Sequence, residues 1–217
     1  MSNRLDLKQI ERKAYRSIYQ DGLWDVYYGL ILILMAIYLF RPPGGYRPMN
    51  IVLMLGCNVL AYLLFFLGKK FITLPRMGQV KFGEARKKRK LTMILVLGIV
   101  VLIQAVIVLL TTQAWLASNV GNSLNDFLKS KEIMDLAVAS IGALFVGSGM
   151  IVSAYFQDFP RGYYIAVLMM LAVFLMIYFN RPIYPIILGA LIVIPGIVLF
   201  IRFLQKYSHP STAADNE

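Results

Sequence analysis

Gly147-Ser148-Gly149 sets a serine hydroxyl between two glycines inside an apolar run, where an intramembrane serine nucleophile would be sought. Such a hydroxyl needs a general base to take its proton. The only histidine, His209, lies in a polar stretch near the C-terminal end, and the apolar runs hold no lysine. Serine catalysis is therefore rejected. Metal chemistry fares no better, because no His, Cys and carboxylate side chains recur at ligand spacing. Cys57 is the single cysteine and lies in an apolar run, so it reads as a small buried apolar group and no intramolecular disulfide can form. The expectation is a chain with no catalytic residue, no cofactor and no metal, and hence not an enzyme.

Polar groups inside apolar runs are expensive to keep there and mark functional sites by default. Asp25, Asn58, Gln104, Asp135 and Pro195 form the candidate intramembrane polar set, with Thr111 and Thr112 also deep. Each has a plainer reading. Asp25 and Asp135 fall near the ends of their runs, where water reaches them, and Asp135 near a helix N-terminus gains from the dipole. Asn58 and Gln104 suit bonds to neighbouring helices. Pro195-Gly196 near the midpoint of the last run would kink a helix. Broken helices of that kind build transport sites, yet the third run has Gly98 and no proline to match it.

The stretch Gly68–Lys90 holds nine of the 22 Lys and Arg. Arg76, Lys81, Arg86, Lys87, Lys88, Arg89 and Lys90 are the candidate contacts to anionic lipid or to a partner. The pattern of Phe71–Gly78 predicts an extended strand entering a Pro/Gly turn, and Gln79–Gly83 alternates as a returning strand would. Ala85–Lys90 then begins the helix of the third run. Basic residues beside a span attract anionic headgroups by about 1 kcal/mol each.

The elements that carry these residues are long apolar runs. Apolar residues make up 59% of the 217 and charged residues 15%, against about 25% charged in a soluble domain. A bilayer core about 30 Å thick needs roughly 20 apolar residues per helix, and the runs lack the alternation of barrel strands. The reading is an all-α integral membrane bundle of six transmembrane helices, with spans at 23–40, 50–67, 91–115, 134–155, 163–179 and 183–204. Span four is the weakest because it is rich in glycine and serine. Its Ala139, Ala143 and Gly147 recur every four residues, as close helix contacts require.

Residues 1–22 read as a cytoplasmic amphipathic helix lying in the interface, with Leu7, Ile10, Ala14 and Ile18 on one face and Lys8, Arg12 and Arg16 on another. Asp21-Gly22 breaks it. Residues 23–204 form the transmembrane domain with the basic cytoplasmic loop 68–90, and 205–217 a polar cytoplasmic tail. No cleavable signal peptide is expected. With six crossings the inner side carries 17 basic residues and the outer side 5, so both termini are expected in the cytoplasm. Trp24, Tyr27, Tyr28, Trp115, Tyr163 and Tyr164 sit at span ends, at headgroup level. Three spans per half raise an inverted repeat, but Gly29 with Asp25 and Gly142 with Asp135 align poorly.

Asp21–Gly29 and Leu74–Phe82 together resemble segments of uncharacterised prokaryotic multi-pass membrane proteins that share a Pro-Arg-x-Gly-x-Val-Lys-Phe loop after their second span. The resemblance covers about thirty residues directly and implies a prokaryotic cytoplasmic membrane, with no activity attached. The net charge of +11 falls mostly on loops beside spans, which argues against nucleic acid. The functional expectation is a non-enzymatic accessory, sensory or assembly component. Its basic loop would engage anionic phospholipid or a cytoplasmic protein partner, and a homo-oligomer is open. The alternative is a small-molecule or ion transporter with its site at the kinked sixth span.

Overall fold

The computed structural model describes residues 16–39, 48–77, 84–117 and 131–207. The helices are α1 (Leu23–Leu39), α2 (Pro48–Leu67), a π-helical turn (Gly68–Thr73), α3 (Leu74–Met77), α4 (Glu84–Ala117), α5 (Lys131–Phe156), α6 (Pro160–Phe179) and α7 (Ile183–Lys206). Five stretches are long and apolar enough to cross a membrane: Val52–Met77, Arg86–Ile107, Asp135–Phe156, Pro160–Phe179 and Ile183–Lys206. At 17 residues α1 is shorter. Its rise of about 1.5 Å per residue gives roughly 26 Å, just under the apolar thickness of a bilayer.

The chain divides into two compact units, one of residues 1–83 with 186–217 and one of residues 84–185. The first therefore holds α1, α2, the π-turn, α3 and nearly all of α7, and the second holds α4, α5 and α6.

Phe71–Met77 is helical, not extended: the chain runs from Pro48 through the π-turn to Met77 without a break. Pro75 has no N–H and its ring needs room against the preceding turn. The wider π-turn supplies that room, with Leu74 N–H donating to the Lys69 carbonyl. The expected returning strand at 79–83 lies outside the described residues, as do most of the N-terminal helix and the tail from Ser208. Of the former, Arg16 and Ser17 are helical and 18–20 form a turn before Asp21 and Gly22. Span four, weak by composition, is a 26-residue helix.

In the first unit α1 and α7 run antiparallel with their backbones nearly touching. Gly22 and Gly29 are seven residues apart, as are Gly189 and Gly196, and they pair in register. A methyl group at Gly22 would overlap the Gly196 carbonyl oxygen, and one at Gly29 would come 2.8 Å from the Gly189 carbonyl oxygen. Small residues permit such approach, and dispersion over the close backbones then holds the pair. Gly22 also adopts φ +77°, which L side chains rarely take.

In the second unit α5 and α6 form a second antiparallel pair, in which the glycines meet side chains rather than backbone. Ala139, Ala143 and Gly147 are buried on α5 at their four-residue spacing, and Ala166, Met169, Ala172 and Val173 are buried on α6. A methyl at Gly147 would press on Met170, and one at Gly142 on Ile177. Helix α6 ends with Asn180 in the left-handed conformation, ahead of Arg181-Pro182. By contrast, the spanning stretch of α4 buries none of its residues.

Candidate functional site

The first unit concentrates polar groups where α1 begins and α2 ends. Asp21 precedes α1 and is fully buried. Its Oδ2 accepts from Thr73 Oγ1 at 2.8 Å and lies 2.7 Å from Lys69 Nζ, while Oδ1 accepts from Leu23 N–H at 3.3 Å. Lys69 also donates to the Ile18 carbonyl at 2.6 Å and lies 6.0 Å from the Trp24 ring centre. Lysine and threonine four residues apart share a helix face, so helix formation across the π-turn brings both to one carboxylate. A buried carboxylate needs such partners. The aspartate's bond to Leu23 N–H also satisfies a donor in the first turn of α1.

Trp24 continues this face inward. Its ring lies 4.6 Å from that of Phe65 on α2, and Tyr19, Tyr27 and Tyr28 surround it within 6.3 Å. Asp25, one residue on, turns to the other neighbour: a methyl at Gly196 would lie 2.9 Å from the Asp25 Cβ. Asp25 is therefore buried against α7 beside Gly196 rather than solvated, at 4% exposure. Pro195 itself is exposed on α7.

In the second unit, Asp158 occupies the turn between α5 and α6 with φ 51°. Phe159 N–H bonds back to the Ala154 carbonyl at 3.0 Å, the arrangement that usually places glycine in the left-handed position. Asp158 is held there by charge. Its Oδ2 takes Arg86 Nη1 at 3.0 Å and Arg89 Nη1 at 2.9 Å, and Arg89 Nη2 also donates to the Tyr155 carbonyl at 3.0 Å. Changing Asp158 to Asn keeps a side chain that tolerates this conformation but removes the charge. We expect a loss of about 2 kcal/mol in denaturation of the detergent-solubilised protein. Arg86→Gln should cost more than Arg89→Gln, because the Arg86 side chain is 14% exposed and that of Arg89 35%.

The remaining expected residues separate. Asn58 Nδ2 donates to the Met54 carbonyl at 2.8 Å, one turn back in its own helix. Gln104 Nε2 donates to Ser148 Oγ at 2.8 Å, tying α4 to α5 and engaging the hydroxyl weighed above as a nucleophile. Asp135 lies in the second turn of α5, which begins at Lys131, and is half-exposed, beyond the first turn where the helix dipole favours a carboxylate most. Lys87, Lys88 and Lys90 are exposed; Lys81 and the side chains of Thr111 and Thr112 fall outside what is described. No group of three His, Cys, Asp or Glu able to hold a metal occurs among the described residues. Asp21, Lys69, Thr73 and Asp158 were missed as site residues. Lys69 and Thr73 did carry a signal, a four-residue spacing, but one visible only if the stretch is helical.

No protein family, curated protein or solved structure matches this chain in a search of each. The structure itself defines the class: five helices long and apolar enough to cross a bilayer make this a multi-pass membrane protein.

Proposed function

We propose that this is a non-enzymatic membrane protein of six spans with both termini in the cytoplasm, an accessory, sensory or assembly component. Its basic residues after span two hold anionic lipid and present a surface to a cytoplasmic partner. One observation carries the reading. Of the five basic residues at the start of α4, Arg86 and Arg89 pair with Asp158, and the side chains of Lys88 and Lys90 are exposed. The arginines stiffen the end of their unit and the lysines face outward, as an electrostatic contact to headgroups requires. A prokaryotic cytoplasmic membrane is the location that the segment resemblance and the 17-to-5 distribution of basic residues favour.

Replacing Lys87, Lys88 and Lys90 with Gln should remove about 1 kcal/mol of headgroup attraction per residue. Lipid retained after purification should then lose its anionic fraction, and its loss in salt should flatten. Unchanged lipid content, with no protein captured through residues 71–90 by crosslinking in native membranes, would sink the proposal. Support for transport is thinner: Asp25 lies beside Gly196, next to Pro195, but Asn58 and Gln104 are engaged in bonds within their own units.

A further inference from the structure

We infer that Arg89, held in place by Asp158 and Tyr155, binds the phosphate of one anionic phospholipid headgroup. The inference rests on the lipid reading above and narrows it from a diffuse basic surface to one saturable position. Every residue it uses belongs to the second unit.

The geometry begins with an oxygen that two arginines share. Arg86 Nη1 lies 3.0 Å and Arg89 Nη1 2.9 Å from the same Asp158 Oδ2. Residues three apart lie on one helix face, so both reach the turn between α5 and α6 from one side of α4. Arg89 Nη2 donates to the Tyr155 carbonyl at 3.0 Å, and its guanidinium carbon lies 6.0 Å from the Tyr155 ring centre. Carboxylate, carbonyl and ring all come from the segment 155–158, and together they fix the plane of this guanidinium.

Those contacts do not exhaust it. A guanidinium has five N–H donors, and Asp158 and the Tyr155 carbonyl take one each. Arg89 Nε makes no hydrogen bond among the described residues and is not enclosed. The side chain is 35% exposed against 14% for Arg86, and Tyr155 beside it is exposed. The remaining donors form a planar fork that matches two oxygens of a phosphate. A fork already oriented loses less freedom on binding than a lysine, which offers a mobile point charge.

Depth selects the ligand. Arg89 stands two residues ahead of the apolar run that begins at Leu91. Tyr155 is one residue short of Phe156, where the crossing stretch of α5 ends. Both therefore sit at headgroup level, where an exposed tyrosine is at home. That depth favours a lipid phosphate over a dissolved one. Lys88 and Lys90, exposed on either side of Arg89 in the sequence, attract net-negative headgroups and oppose the ammonium of a zwitterionic one.

Native mass spectrometry of the full chain in detergent, titrated with phosphatidylglycerol, counts bound lipids one by one. The first phosphatidylglycerol should bind at least about tenfold more tightly than the first phosphatidylcholine, and inorganic phosphate should not displace it. Arg89→Gln should weaken that first step by about tenfold and leave the later, looser steps alone. Arg89→Lys, which keeps the charge and loses the fork, should restore only part of it. Asp158→Asn gives the sharpest contrast. A diffuse basic surface gains net positive charge in this variant and should hold more anionic lipid. A positioned guanidinium loses its anchor, so the first step should weaken although the total positive charge has risen. Thermal melting without lipid establishes that each variant is folded, and if Asp158→Asn is not, the two Arg89 variants decide.

Tighter binding by a folded Asp158→Asn, or an unchanged first step in a folded Arg89→Gln, would overturn the site. Displacement of the lipid by inorganic phosphate at equal concentration would overturn the lipid as its occupant. If the three-lysine variant loses anionic lipid while Arg89→Gln loses none, this site fails and the broader proposal stands. If neither variant changes lipid binding, both fail.

Discussion

Changing Gly22 to Ala is expected to destabilise the protein by about 3 kcal/mol or more. The φ of +77° at this position alone penalises an L side chain by roughly 1–2 kcal/mol. The new methyl would also run into the Gly196 carbonyl oxygen and come within 2.9 Å of Leu199 Cβ. The overlapping atom belongs to backbone, so no rotamer change relieves it, and α1 must move off α7. Overpacking of this sort costs typically about 1–3 kcal/mol. Unfolding in mixed micelles of rising SDS fraction measures the effect, with Gly98→Ala as control. At Gly98 a methyl meets nothing within 4 Å, and replacing a helical glycine there should gain about 0.5–1 kcal/mol. Equal stability of the two variants would refute the paired-glycine contact.

Asp21→Ala comes next, with an expected loss of about 3–5 kcal/mol. It removes the carboxylate 2.7 Å from Lys69 Nζ while the lysine side chain remains largely buried, at 15% exposure. Removing one partner of a buried pair leaves a charge that the interior cannot solvate. Thr73 Oγ1 loses its acceptor and Leu23 N–H its cap in the same step. Lys69→Met in the Asp21→Ala background should recover much of the loss, because the uncompensated charge is then gone. The cycle of single and double variants isolates the interaction energy. Additive losses would show that Asp21 and Lys69 act independently, contrary to the 2.7 Å geometry.

The location of the helices was legible because hydrocarbon imposes a one-dimensional rule: about twenty apolar residues in a row make a span, whatever their neighbours do. Five of the expected spans are recognisable with only shifted ends. The small-residue spacing of Ala139, Ala143 and Gly147 was legible for the same reason, being a property of one helix. The stretch 71–77 was misread because its β-branched and aromatic residues with a Pro/Gly ending favour a strand locally. Helix continuation won, since it delivers Lys69 and Thr73 together to Asp21.

The polar residues were harder. Asp25 was expected near water, and it is buried against α7, about 170 positions later in the chain. Arg86 and Arg89 looked identical to their lysine neighbours until Asp158 selected them. The seven-residue spacing of Gly22 with Gly29 and of Gly189 with Gly196 stood in the sequence, but each pair is ordinary by itself.

The sequence by itself determined that the chain is helical and that it carries several stretches able to cross a membrane. Those properties follow from composition and local periodicity. Only the tertiary structure decided which spans pack together, with α7 returning to α1, and which charges are engaged. A helix face is symmetrical in its possibilities until a second helix meets it, and contact between residues distant along the chain is what chooses among them.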